Sequence, residues 1–149
     1  RQMFVEREFF TQLLSYRFIS VESRNQMANP ENLKYTKEHE WILIEGDVAT
    51  VGITKYAADA LGEIVYVDLP KVGSDAAHMK ICGEIESTKS VGELYAPMDG
   101  EITEVNSALD QAPDTVNQDP FGDGWLIKIR YTSVPDFLSS TEYDALVGE

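Results

Sequence analysis

One strand-like phrase occurs twice in this chain. Gly46-Asp47-Val48-Ala49-Thr50-Val51 returns as Gly100-Glu101-Ile102-Thr103-Glu104-Val105, each time a turn glycine and an acid followed by β-branched residues three apart. The repeat is weak, but it lies in a glycine-studded stretch of short strand-like runs from Leu33 to Tyr131. That pattern predicts a mainly β domain, two similar half-sheets wrapped face to face as a small sandwich or flattened barrel. A short helix interrupts the halves, with Thr54 as N-cap, Lys55 to Leu61 as body and Gly62 as stop. Ser139, Ser140 and Thr141 then precede Glu142-Tyr143-Asp144-Ala145-Leu146, which predicts a capped terminal helix packed on the barrel. A chain of 149 residues suits one such domain.

Residues 1–32 read as a separate N-terminal extension, and residues 33–149 as the domain proper. In the extension Val5, Phe9 and Leu13 fall on one helical line with Phe10, Leu14 and Phe18 beside it, so a helix is expected from about Val5 to Phe18. Its four arginines invite comparison with an organelle transit peptide. Such segments are poor in acid, however, and this one has three glutamates before Asn25. Met27-Ala28-Asn29-Pro30 reads as a native start, leaving the extension as an upstream read-through, an expression remnant or a genuine appendage.

Charge divides along the same boundary. Arg1, Arg7, Arg17 and Arg24 balance Glu6, Glu8, Glu22 and Glu31, so the whole net charge of -14 lies downstream. Such a field repels nucleic acid and anionic lipid head groups and leaves basic protein surfaces as the natural partners, unless it serves solubility alone. No apolar run approaches the length needed to cross a bilayer. One cysteine and two distant histidines exclude a disulfide framework and offer no metal-ligand cluster.

Glu86-Ser87-Thr88-Lys89-Ser90 sets a single lysine among small hydroxyl and acidic residues on a turn between two strand-like runs. Ile81 to Ile85 leads in, with Ile81, Gly83 and Ile85 expected on one face and Cys82, Glu84 and Glu86 on the other. Val91 to Tyr95 leads out, and Pro97 with Asp99-Gly100 signals the turn into a further strand. Lys89 is thus expected near a hairpin tip. The tip has no glycine or asparagine, so its own turn signal is weak, and by itself an exposed lysine is ordinary.

The neighbours make it more than ordinary. The run Gly83 to Ser90, Tyr95-Ala96-Pro97, Gly100-Glu101-Ile102, Tyr35-Thr36-Lys37-Glu38-His39-Glu40-Trp41, Leu61-Gly62-Glu63-Ile64-Val65-Tyr66-Val67-Asp68-Leu69-Pro70 and Gly122-Asp123-Gly124-Trp125 closely resemble the H proteins of the glycine cleavage system. The match runs nearly from Leu33 to Glu149. The resemblance implies the lipoyl/biotinyl-carrier fold, with lipoate joined covalently to Lys89 by a lipoate ligase or by lipoyl synthesis enzymes. It implies a non-catalytic, monomeric carrier. Its partners would be a glycine decarboxylase using pyridoxal phosphate, a tetrahydrofolate-dependent aminomethyltransferase and the flavin enzyme dihydrolipoyl dehydrogenase. A bacterial protein would be cytoplasmic, the favoured placement; a eukaryotic one would lie in the mitochondrial matrix.

Around the attachment site Ser87, Thr88 and Ser90 leave Lys89 open to a ligase pocket, while Glu84 and Glu86 supply charge a basic enzyme could read. Glu40 and Trp41 are candidates for a groove sheltering the loaded arm, whose aminomethyl amine is cationic. The alternatives are a solvated strand-edge acid and a core aromatic. A biotinyl carrier places methionines beside its lysine, where Thr88 and Ser90 stand here. A 2-oxo acid dehydrogenase lipoyl domain lacks the Trp125 and terminal-helix region. A Cys82 nucleophile needs a nearby base, and no motif ties His39 or His78 to it. A lipoate-relay role stays open beside glycine cleavage. Lys71, where an acid is common, and the shortened Pro135-Asp136-Phe137-Leu138 depart from the family pattern.

Overall fold

The computed structural model describes residues 29–148, so the helix expected over Val5 to Phe18 lies outside the described residues. Strands β1 (Lys34–Tyr35), β2 (Glu40–Glu45) and β3 (Val48–Ile53) lead to helix α1 (Lys55–Leu61). Then come β4 (Ile64–Asp68), β5 (Asp75–Ala76), β6 (Ile81–Ser87), β7 (Val91–Tyr95) and β8 (Gly100–Val105). A 3-10 turn (Ser107–Asp110), α2 (Thr115–Gln118), β9 (Ile127–Tyr131) and α3 (Ser140–Val147) complete the described chain. All pairings are antiparallel, in a six-stranded sheet ordered β1-β2-β3-β9-β8-β5 and a three-stranded sheet ordered β4-β6-β7.

The two-sheet, open sandwich matches the expected class, but the halves are unequal. Both copies of the repeated phrase fall in the large sheet: β3 and β8 flank β9, with Ala49 and Ile102 each opposite Ile129. The repeat marks two neighbours of one central strand, not one strand in each half-sheet. Between the sheets, Ile42, Val51, Ile64, Val67, Ile85, Leu94, Ile102 and Ile129 are buried. These are the positions of both sheets that face inward, alternating along each strand with residues of the opposite face. A second cluster of Leu33, Tyr35, Trp41 and Tyr143 fills the other side of the large sheet beneath α3.

Both longer helices form where their caps stand. The Thr54 side chain accepts from Ala57 N, and Gly62 stops α1 at φ 92°. Ser139 and Glu142 make a reciprocal capping box on α3, which ends at Gly148 in the left-handed conformation. Tyr143 from α3 stacks on Tyr35 at 4.9 Å between ring centroids. Asn29 and Pro30, grouped by sequence with the extension, join this packing: Asn29 Nδ2 donates to Asp144 Oδ1 at 2.6 Å and Pro30 O accepts from the Tyr35 hydroxyl.

The β6 strand corrects one expectation. Its pairing with β7 shifts between Ile81 and Gly83, a bulge that adds a residue and reverses the faces before it. Ile81 is therefore exposed, and Cys82 packs against the core instead of pointing outward with Glu84 and Glu86. A second shift between Ile64 and Tyr66 lets Val65 and Tyr66 both stay exposed while Ile64 and Val67 are buried.

Candidate functional site

Lys89 lies at the tip of the β6–β7 hairpin, exposed together with Thr88 and Ser90. The backbone there owes its shape to Ser87, which sequence reading valued only for being small. Ser87 is buried, and its Oγ accepts from Lys89 N at 3.2 Å and Ser90 N at 3.0 Å while donating to Leu61 O at 2.6 Å. The Ser87 amide donates to Ser90 O at 2.8 Å, and Thr88 N donates to Glu63 O at 3.0 Å. No residue from Ser87 to Ser90 adopts positive φ, so the turn does without glycine, and one hydroxyl supplies the side-chain hydrogen bonds that hold it. It also ties the tip to the end of α1, satisfying a last-turn carbonyl that the helix leaves without an internal partner.

Gly62 makes room for the lysine stem. A Cβ at this position would stand 3.1 Å from Lys89 Cε, and the backbone is already in a region that side chains avoid. Asn117 of α2 fixes the same corner, donating to Gly62 O at 2.8 Å and accepting from Ile64 N at 2.9 Å. Sequence reading missed Asn117, which carries no local signal because its partners are more than fifty residues away. Among the described residues Lys89 Nζ makes neither a hydrogen bond nor an ion pair. An exposed, uncommitted amine on a braced tip fits a residue that is to be acylated.

Glu84 and Glu86 are exposed on the outer face of the three-stranded sheet. Glu40 is different. It is 1% exposed, its Oε1 accepting from Thr36 Oγ1 at 2.6 Å and its Oε2 from Tyr95 N at 3.2 Å. Burial pushes its carboxyl up to about 7, against the pull of those hydrogen bonds. It is not a solvated strand-edge acid. It lines a cavity of about 170 Å³ together with Thr36, Glu38, Met79, Pro97 and Phe137.

Trp41 does not share that cavity. Successive strand residues point to opposite faces, so Trp41 lies in the second cluster, 2% exposed, donating Nε1 to Pro120 O at 2.9 Å. Its indole spreads across Gly52 on the next strand, where a Cβ would stand 2.5 Å from the ring. Nor are Glu40 and Lys89 in contact. The five-residue strand β7 separates the tip from Tyr95, roughly 17 Å at the usual rise, so only a long extension on Lys89 would bring them together.

His39 sits at φ 71°, and its Nδ1 lies 2.7 Å from the Tyr143 hydroxyl, itself 2.8 Å from Thr54 Oγ1. This network anchors the start of β2 and of α1 to α3. Burial lowers the His39 pKa. Burial, with the Glu40 carboxylate nearby, pushes the Cys82 thiol up to about 11, so it stays protonated at neutral pH and is a poor nucleophile. Among the described residues no group of histidine, cysteine and carboxylate side chains could hold a metal ion, and no helix is long and apolar enough to cross a membrane.

Comparison with known proteins agrees with this anatomy. The chain matches the glycine cleavage H-protein family over residues 33–147. It is 61% identical over 123 residues to the glycine cleavage system H protein of Clavibacter sepedonicus, an alignment covering 83% of this chain and all of that one. It is 53% identical over 124 residues to the H protein of Streptomyces coelicolor, covering 82% and 99% respectively. The crystal structure of a glycine cleavage system H protein from Mycobacterium marinum superposes with a TM-score of 0.78 at 43% identity, covering 81% of this chain and all of that one. A braced, exposed lysine on an open two-sheet sandwich thus stands in a sequence that matches one family from the first strand to the last helix, and the chain belongs to the glycine cleavage H-protein family.

Proposed function

We propose that this chain is the lipoyl carrier of a glycine cleavage system, with Lys89 as the attachment residue and no catalytic step of its own. The observation that carries the reading is the exposed Lys89 amine on a hairpin tip pinned by Ser87, within a chain of the H-protein family. Lipoate, once amide-linked there, would supply a disulfide able to take up an aminomethyl group and electrons. The chain's own contribution is to present the arm and to receive its loaded end. For the second task Glu40 is the candidate: a buried carboxyl that ionises near neutral pH can hold a cationic amine without a standing counter-charge. Trp41 supports it from behind the sheet instead of lining a groove.

The partners follow from that role: a pyridoxal phosphate glycine decarboxylase, a tetrahydrofolate-dependent aminomethyltransferase, dihydrolipoyl dehydrogenase and a lipoate-attaching enzyme. Bacterial relatives favour residence in the cytoplasm. The test is reconstitution with the purified partner enzymes. The lipoylated chain should support glycine-dependent release of carbon dioxide and formation of methylene-tetrahydrofolate, and the Lys89→Arg chain should support neither, because a guanidinium cannot be acylated in the same way. Turnover with the arginine variant would overturn the reading.

A further inference from the structure

Ten large apolar side chains stay exposed among the described residues, and four of them share one surface. Val65 (44%), Tyr66 (56%), Ile81 (51%) and Val91 (56%) all lie on the outer face of the three-stranded sheet. The strand register arranges this face in rows. Nearest the tip, Tyr66, Glu86 and Val91 are cross-strand partners, and the β4 bulge leaves Val65 exposed beside them. Asp68, Glu84 and Glu93 form the next row, and Ile81 with Tyr95 the last.

The middle row sets three exposed carboxylates directly opposite one another, which disfavours antiparallel pairing. None of the three is in an ion pair among the described residues. Tyr95 gives only Glu93 a hydrogen bond, at 3.0 Å. The face therefore weakens its own sheet and leaves apolar surface in water. Both features become favourable against a surface of opposite character, apolar where Tyr66 and Val91 meet it and basic along the carboxylate row.

We propose that this sheet face is the docking surface for the enzyme that acylates Lys89. The proposal rests on Lys89 being the attachment residue. Charge argues against a second copy as the occupant, because a two-fold axis through the middle of the face would set the carboxylate row against itself. Reach selects among the enzymes. Those that work on a loaded arm meet its far end, whereas an enzyme that modifies the bare amine must bring its active site to Lys89 itself. Val91 is two residues from that lysine on the same hairpin, and Tyr66 lies across from Glu86, three residues before it.

The discriminating variant is Glu84→Lys. A lysine there faces Asp68 and Glu93, so the thermal transition should move upward. The same change should weaken binding of the unlipoylated chain to purified lipoate ligase about tenfold, a moderate effect for a reversed contact charge, read by fluorescence anisotropy and as a higher KM at unchanged kcat. Tyr66→Ser should weaken binding comparably, and Glu45→Lys, the same charge change on the large sheet, should leave it unaltered. A Glu84→Lys chain that is more stable yet binds the ligase as tightly as the parent overturns the proposal. So does a parent that sediments as a dimer and is dissociated by Tyr66→Ser, since a second copy would then cover the face. Acylation of Lys89→Arg would instead overturn the attachment reading, so the two failures are distinguishable.

Discussion

At Glu40 desolvation opposes two hydrogen bonds, and desolvation wins. A carboxyl raised from 4.5 to about 7 binds its proton more tightly in the folded chain than in the unfolded one. The stability Glu40 contributes is therefore fully present below about pH 4.5 and is lost as pH rises through about 7, by on the order of 3 kcal/mol at most. Glu40→Gln can keep its oxygen on Tyr95 N while its amide nitrogen donates to Thr36 Oγ1, and it should flatten that slope, measured by urea unfolding from pH 4.5 to 7.5; an unchanged slope would place the titration elsewhere. Ser87→Ala strips the turn amides and Leu61 O of their shared partner and should cost about 1–3 kcal/mol. Amide exchange should accelerate at Lys89 and Ser90, and protection as in the parent would mean the tip holds without the hydroxyl. The Glu40–Trp41 pair shows what sequence left readable at this scale. Strand alternation alone separates the two, yet a family-shaped motif invites reading them together. That Glu40 is buried could not be read, because Tyr95, 55 residues on, supplies the hydrogen bond at its far oxygen.

Among elements, those that carry their own punctuation were legible. Thr54 and Gly62 bound α1, Ser139 and Glu142 start α3, and Asp99-Gly100 opens β8. The bulges in β4 and β6 were not, since an extra residue in a strand has no composition of its own and is defined only against its partner. The bulge near Cys82 decides which of two neighbours is core, and Ile81 by hydrophobicity alone was the natural choice. The repeat misled for a related reason: similar strands need similar faces, a condition met equally by two flanks of β9 and by two separate sheets. At the join of α1 and β4 the backbone of Gly62, φ 92° and ψ −161°, is open to glycine almost alone. Gly62→Ala should cost about 1–3 kcal/mol and displace the Lys89 stem, detectable as a lowered denaturation midpoint together with changed tip chemical shifts; a neutral substitution would refute the packing of stem on corner.

For the molecule as a whole, all net negative charge belongs to the part that folds as the sandwich, and the first thirty-one residues contribute none. Asn29 and Pro30 already bond to α3 and β1, so the proposed division of the chain puts its working boundary just before them. Removing residues 1–26 should leave both the thermal transition and acylation of Lys89 unaltered, and a lost transition would show that the extension completes the core. Sheets, caps and core faces organise themselves around one exposed lysine, and the carrier role proposed for the chain depends on that residue more than on any other. Its most direct test is intact mass after co-expression with a lipoate ligase and lipoate. The parent should gain one lipoyl amide and Lys89→Arg none; a lipoyl gain in the variant, or its absence from a parent exposed to an active ligase, would contradict it.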